Sequence, residues 1–214
     1  MSVKKIFWDD PYKTSLTTTV TGVKEARVTL SETIFYAFSG GQQPDKGSIG
    51  GFAVLQAQKD GTEIYYTLPD HHTLSAGDTV EILIDWNRRY RLMKLHFAAE
   101  LVLETMYQKF DRPEKTGANI TPQKARVDFR WEGPVSSVFP KLLPDIQSII
   151  AADLPIISGF ENEREELRYW EIKGFAKVLC GGTHLKRTGE IGVVQLRRKN
   201  NGKGLERIEI TLAE

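Results

Sequence analysis

The stretch "DWNRRYRLMKLHFAAELVLETMYQKF", residues 85 to 110, is where the chain changes its period. Leu92, Leu95, Ala99, Val102, Leu103 and Met106 recur at steps of three and four, and neither glycine nor proline interrupts them. Residues so spaced share one face of an α-helix. One long helix with a broad apolar stripe is expected here.

What precedes it reads as β structure. "SLTTTVTGV", "ARVTLSETIFYAF", "GSIGGFAVLQAQ", "EIYYTLPD" and "DTVEILID" are rich in Val, Ile, Thr, Tyr and Phe, with turns such as "QKDGTE" and "LSAGDT" between them. Several short strands at this spacing predict a small β-barrel over residues 1–86. Residues 87–214 predict an α+β domain with an antiparallel sheet and two main helices. Its second helix starts near Ser137, with Pro140 and Pro144 implying an early start or a broken first turn. "KARVDFRWEG", "KGFAKVLCGGTH", "IGVVQLRRK" and "LERIEITL" read as strands, "LPIISGFE" as extended chain, and the charged "NEREELRYW" as compatible with a short helix.

Composition is that of a soluble globular protein: 40% hydrophobic and 27% charged in 214 residues. A net charge of +1 singles out no partner but allows a local basic face. One cysteine cannot form an internal disulfide, no secretory segment is visible, and no apolar run approaches the roughly 20 residues that cross a bilayer. A cytoplasmic protein with a reduced thiol is expected, with no membrane and no obligate protein partner.

The chemistry-bearing residues fall into two pairs. His96 and Glu100, four apart on the long helix, project from one face. Cys180 and His184 are also four apart, on a strand-to-turn stretch where Gly181 and Gly182 let the backbone bend. Two imidazoles, one thiolate and one carboxylate suit a tetrahedral zinc ion. Each pair has a plainer reading as well: a hydrogen-bonded His/Glu pair, and a buried thiol. A Cys180 nucleophile with His184 as its base is a third reading. His71 and His72 read as loop residues.

"FYAFSGGQQPDKGSIGG", residues 35 to 51, is a glycine-rich loop without the Gly-Lys-Ser/Thr of a phosphate-binding loop. It is a simple hairpin, or it brings backbone donors of Gly40 and Gly41 and the Gln42 side chain close to a polar ligand. The cations of "NRRYRLMK" and "LKRTGE" are either solvated faces or contacts for an RNA backbone, led by Arg88, Arg89, Lys186 and Arg187.

Together these pieces resemble a family. "RRYRLMKLHFAAELV" is similar to the helix of the alanyl-tRNA synthetase editing domain, in which two arginines precede Met-x-x-His-x-x-x-His. "CGGTHLKRTGEIG" resembles that domain's second metal half, and "TIFYAFSGGQQPDKGSIGG" the glycine-rich segment of the preceding barrel. The chain has no room for the aminoacylation domain, so it resembles the free-standing editing proteins of the AlaX type, in the medium-length form that carries the barrel. The resemblance implies an aminoacyl-tRNA deacylase acting on mischarged tRNA for alanine, chiefly seryl- and also glycyl-tRNA, with one zinc ion per chain and tRNA as partner. Carried over residue by residue, it implies His96, Cys180 and His184 as zinc ligands and Gln42 beside the editing pocket. Gly181, Gly182 and Thr183 would shape the loop around the metal, with Gln42, Glu100 and Thr183 as candidate catalytic residues. Gln42 or the metal would meet the extra hydroxyl of serine. Two positions depart from the family pattern. Glu100 stands where histidine is usual, as fourth ligand or as an unligated base or orienter, and Ser39 replaces the first loop glycine. Two alternatives follow: a tRNA-binding protein with a decayed site, or the same scaffold acting on another aminoacyl-tRNA, such as threonyl-tRNA.

Overall fold

The structure is a computed structural model that describes residues 2–213. It is a mixed α/β protein whose large sheets are antiparallel. The described residues form two compact units. One comprises the chain up to Ser39 with Gln43–Tyr90, and the other comprises Gly40–Gln42 with the chain from Arg91 onward. The division after Tyr90 falls inside the long helix, whereas the sequence places it at 86/87.

In the first unit, β1 (Lys4–Lys5) and the single-turn α1 (Ile6–Asp9) lead into β2 (Ser15–Lys24) and β3 (Arg27–Leu30), and β4 (Glu32–Thr33) pairs in parallel with β1. Strands β5 (Gly47–Ile49), β6 (Phe52–Ala53), β7 (Gln56–Asp60), β8 (Glu63–Thr67) and β9 (Thr79–Ile84) complete it. Seven of these form one curled, half-barrel sheet in the order β6-β5-β9-β2-β3-β8-β7. Strand β9 shows why the pattern folds this way. Val80, Ile82 and Ile84 point into the core while Glu81 and Leu83 face out, the period-2 alternation of a half-buried strand. They join Val20, Val28, Leu30, Ile64 and Tyr66 in a single apolar core.

The long helix α2 spans Trp86–Lys109. Asp85 caps it, its Oδ1 accepting the Arg88 N–H at 3.0 Å. The expected single stripe is replaced by burial on nearly every side: Leu92, Met93, Leu95, Phe97, Ala98, Leu101 and Val102 are all solvent-inaccessible. A helix apolar around most of its circumference is a core helix, and even its polar His96 and Glu104 are buried.

After α2 come β10 (Lys115–Ile120), β11 (Ala125–Arg130), a 3-10 turn at Val135–Val138 and α3 (Phe139–Ala151). Pro140 lies in the first turn of α3, where no intrahelical donor is needed. Leu142, Ile146 and Ile150 form its buried face. Then follow β12 (Ile157–Asn162), β13 (Leu167–Ile172), β14 (Ala176–Leu179), β15 (Val194–Asn200) and β16 (Leu205–Leu212). They make a four-stranded sheet, β10-β11-β16-β15, and a three-stranded one, β12-β13-β14.

One local expectation changes. "NEREELRYW" is a hairpin instead of a helix. Asn162 Oδ1 accepts the N–H groups of Arg164 and Glu165 at 3.1 and 3.3 Å, Glu166 takes a left-handed φ of 56°, and the chain returns as β13. "KTGANI" carries little apolar signal, yet it forms β10 by pairing with β11. Among the described residues no helix is long and apolar enough to cross a membrane.

Candidate metal centre

Helix α2 supplies His96 and Glu100. Cys180 directly follows β14, and its N–H donates to the Arg168 carbonyl at 2.8 Å, extending the β13–β14 ladder by one residue. The chain then turns through Gly181 and Gly182 to Thr183 and His184. The backbone bends at Gly182, and neither glycine takes a left-handed φ. Space is the reason at Gly182: a Cβ there would overlap the His96 ring and lie 3.1 Å from Gln42 Oε1.

Donor atoms converge at this point. The Nε2 of His96 lies 3.2 Å from Glu100 Oε1 and 3.3 Å from Cys180 Sγ, and Sγ is 3.5 Å from the same carboxylate oxygen. One ligand atom each from His96, Cys180 and His184 lies within 4.8 Å of the others. The two imidazoles meet edge to face, their centroids 5.4 Å apart. His184 Nδ1 is engaged by Ser158 Oγ of β12 at 3.1 Å, a partner with no signal in the sequence. Its Nε2 is buried with no hydrogen-bond partner among the described residues.

The glycine-rich loop reaches the same place through three residues. Gly40 and Gly41 have φ of 59° and 88°, open to glycine at little cost. A Cβ on Gly41 would also press against the Ala118 carbonyl at 2.8 Å. The Gly41 carbonyl accepts the Ile120 N–H at 2.8 Å, so the loop is seated on β10. Gln42 is thereby delivered with 1% exposure: its Oε1 lies 2.6 Å from His96 Nδ1, and its Nε2 donates to Thr183 Oγ1 at 3.0 Å.

Electrostatics follow from this packing. Burial pushes the His96 imidazole down, but the Cys180 sulfur and the Glu100 carboxylate outweigh it and raise it to about 10. Burial pushes Glu100 up, yet hydrogen bonds from His96 and Cys180 hold it below the usual carboxylate range. His184 is driven well below its ordinary value by burial first and then by the positive charge of His96 and Arg168. A neutral His184 keeps a lone pair for a cation, as metal ligation requires.

These residues fit a metal ion. An orphaned, buried Nε2, a thiol and a second Nε2 hemmed in by two acceptors are groups that a divalent cation satisfies together, and thiolate with imidazole is a donor set of borderline softness. His96, Cys180 and His184 can therefore hold a metal, with Glu100 against two of the three.

Other nominated residues have different fates. Arg89 is fully buried, its guanidinium bound to both Asp45 oxygens and to the Ile34 and Pro11 carbonyls, which removes it from any RNA backbone. Arg88 bonds Gln43 and the Pro44 carbonyl, and Arg187 pairs with Asp153. Lys186 is exposed. Gln42 has each end of its amide engaged within the protein, with Thr183 and with His96. His72 is tied to the Glu25 carbonyl at 3.0 Å, in keeping with a loop residue. A cleft of about 600 Å³ around Lys24, Arg27, Lys59 and Tyr65 contains none of the metal-centre residues.

Residues 167–209, from β13 to β16, match the family model for the threonyl and alanyl tRNA synthetase second additional domain. Over 98% of its length the chain is 31% identical to the alanyl-tRNA editing protein AlaX-M of Methanosarcina barkeri, covering 98% of that protein. It is 28% identical to the AlaX-M of Pyrococcus horikoshii, covering 98% of this chain and 97% of the other. Against the alanine–tRNA ligase of Ignicoccus hospitalis it is 31% identical over 90% of its length, but spans only 24% of the ligase. Joined to a His-Cys-His centre assembled from the helix and the Cys-Gly-Gly-Thr-His turn, these matches show that the chain belongs to the AlaX-M family of alanyl-tRNA editing proteins.

Proposed function

We propose that this protein hydrolyses the ester linking a wrong amino acid to tRNA(Ala), chiefly serine and also glycine, at a centre holding one zinc ion. The carrying observation is the meeting of one donor atom each from His96, Cys180 and His184 within 4.8 Å, with the Glu100 carboxylate beside them. A bound zinc ion supplies Lewis acidity and acidifies a nearby water.

The chain's own groups do the rest. Glu100, held below the usual carboxylate range, is ionised at neutral pH and can accept a proton from the attacking water. Hydroxide adds to the ester carbonyl, the bond to the ribose oxygen breaks, and the proton passes from Glu100 to that oxygen. The products are a free amino acid and an uncharged tRNA. Thr183 and Gln42 hold the ligands in place, and Gly181 and Gly182 leave room for them. Phosphate contacts fall to exposed Lys186 and Arg187, and to Arg88. On this reading the first unit is the small barrel that precedes the editing domain, and the protein works in the cytoplasm, where charged tRNA is used.

A second reading has its own support. The 3.2 and 3.5 Å separations of Glu100 Oε1 from Nε2 and Sγ are also those expected between neighbours in a four-coordinate shell, which would make Glu100 the fourth ligand.

The test is a deacylation panel with seryl-, glycyl-, alanyl- and threonyl-tRNA. Rapid release of serine, slower release of glycine and sparing of alanine is the expected pattern. Binding of all four without hydrolysis would point to the decayed-site alternative, and preference for threonine to a different substrate.

A further inference from the structure

The metal-centre reading leaves open what makes both histidines present the same nitrogen. We propose that Gln42 is a positioning residue: its carboxamide accepts the Nδ1–H of His96 and so commits Nε2 to the metal, while Ser158 does the same for His184. The proposal rests on the metal-centre reading and adds to it two residues that touch neither metal nor substrate.

The orientation of the Gln42 amide decides the matter. Its Oε1 lies 2.6 Å from His96 Nδ1 and also accepts the Thr183 backbone N–H at 3.5 Å. A backbone N–H can only donate, so the atom it faces is the oxygen, and the amide nitrogen is left to donate to Thr183 Oγ1 at 3.0 Å. An oxygen facing Nδ1 requires the hydrogen on Nδ1. When a metal displaces the second ring proton, the lone pair it meets is therefore on Nε2, the atom that Cys180 Sγ and Glu100 Oε1 approach at 3.3 and 3.2 Å. His184 repeats the arrangement, with Nδ1 toward Ser158 Oγ and Nε2 unpartnered.

Gln42 is itself held from three sides. The Gly41 carbonyl is bonded to Ile120, Gln42 forms a β-bridge with the same residue, and Gly182 has no side chain to displace its Oε1. A carboxamide with 1% exposure and both ends engaged is a fixed strut. Partners of this kind set the ring orientation of a ligating histidine and raise its basicity, and losing one costs about 10–100-fold in metal affinity. Ser158 is exposed, so water can replace its hydroxyl and its loss should matter less.

Wild type, Gln42→Leu, Gln42→Glu and Ser158→Ala are compared as cobalt(II)-loaded proteins. Affinity is read by chelator competition, and the paramagnetically shifted imidazole N–H signals by proton NMR. Gln42→Leu should bind cobalt about 10–100-fold more weakly and lose one shifted N–H to rapid exchange. Gln42→Glu, which restores an acceptor, should recover both readouts, and Ser158→Ala should fall within a few-fold of wild type. Equal affinity and an unchanged N–H in Gln42→Leu would overturn the proposal while leaving the metal centre standing. So would failure of Gln42→Glu to recover either readout. A wild-type protein that takes up no cobalt would overturn the metal-centre reading itself, and the proposal with it.

Discussion

Gly182 passes so close to His96 that a single methyl group on it would occupy the space of the imidazole ring. The Cys-Gly-Gly-Thr-His turn and α2 are therefore fitted to each other at a position where only hydrogen is tolerated. Gly182→Ala must push the ring away from Cys180 or move the turn, and overpacking of this kind costs about 1–3 kcal/mol. Thermal denaturation should register that loss, and metal uptake should fall with it. Gly181→Ala is the control, since a Cβ there meets nothing within 4 Å; equal behaviour of the two variants would contradict the fitted geometry.

The pH dependence of the metal-free protein follows from two histidines shifted in opposite directions. His96, raised from 6.5 to about 10, adds stability that is complete below 6.5 and is lost as pH rises through 10. His184, lowered well below 6.5, stays neutral when folded but gains a proton when unfolded, so stability also falls as pH drops below 6.5. Denaturant midpoints from pH 4 to 10 should therefore peak near neutrality. His96→Gln should flatten the alkaline limb, and an unchanged limb in that variant would remove His96 as its cause.

Glu100 separates two chemistries in one experiment. If it is the base, Glu100→Gln should lower the deacylation rate about 10²–10⁴-fold while metal affinity stays within a few-fold. If it is the fourth ligand, the same substitution should weaken metal binding by tenfold or more. Glu100→His, which places a neutral ring where a carboxylate stood, should preserve binding in the second case and fail to restore the rate in the first.

Arg89 and Asp45 form a fully buried ion pair. Removing one partner of such a pair leaves the other charge without compensation and costs about 3–5 kcal/mol. Arg89→Met should unfold at markedly lower denaturant, and Arg89→Met with Asp45→Asn should recover part of the loss. A variant as stable as wild type but impaired in tRNA binding would return Arg89 to the RNA-contact role that its burial argues against.

How much of this was legible in the sequence varied with the range of the interaction. The period of residues 92 to 106 reveals α2, and the alternation of "DTVEILID" reveals β9, because each is a local pattern that packing only reinforces. "KTGANI" lacks such a pattern, and becomes β10 through its pairing with β11. Arg89 sits in a basic run that looks solvated, and only the fold brings Asp45 to it from 44 positions away. At the centre, the spacing of His96 with Glu100 places both on one helical face. The approach of Cys180 to His96 spans 84 positions: the spacing and residue types of the two pairs allow it, and the family resemblance singles it out from their plainer readings. Ser158 was invisible, since a lone serine on a strand acquires its role only from the β12 register that sets it against His184. The resemblance puts Gln42 beside the editing pocket, but its bond to His96 depends on the seating of its loop on β10, which no local pattern shows.

The central claim is that a metal held by His96, Cys180 and His184 is required for hydrolysis of seryl-tRNA(Ala). Its most direct test is the rate of serine release by protein stripped with a chelator, before and after one equivalent of zinc is restored, beside metal content per chain. The account predicts about one zinc per chain, loss of deacylation on stripping, recovery on reloading, and no recovery in Cys180→Ala. Full activity in the stripped protein would contradict it.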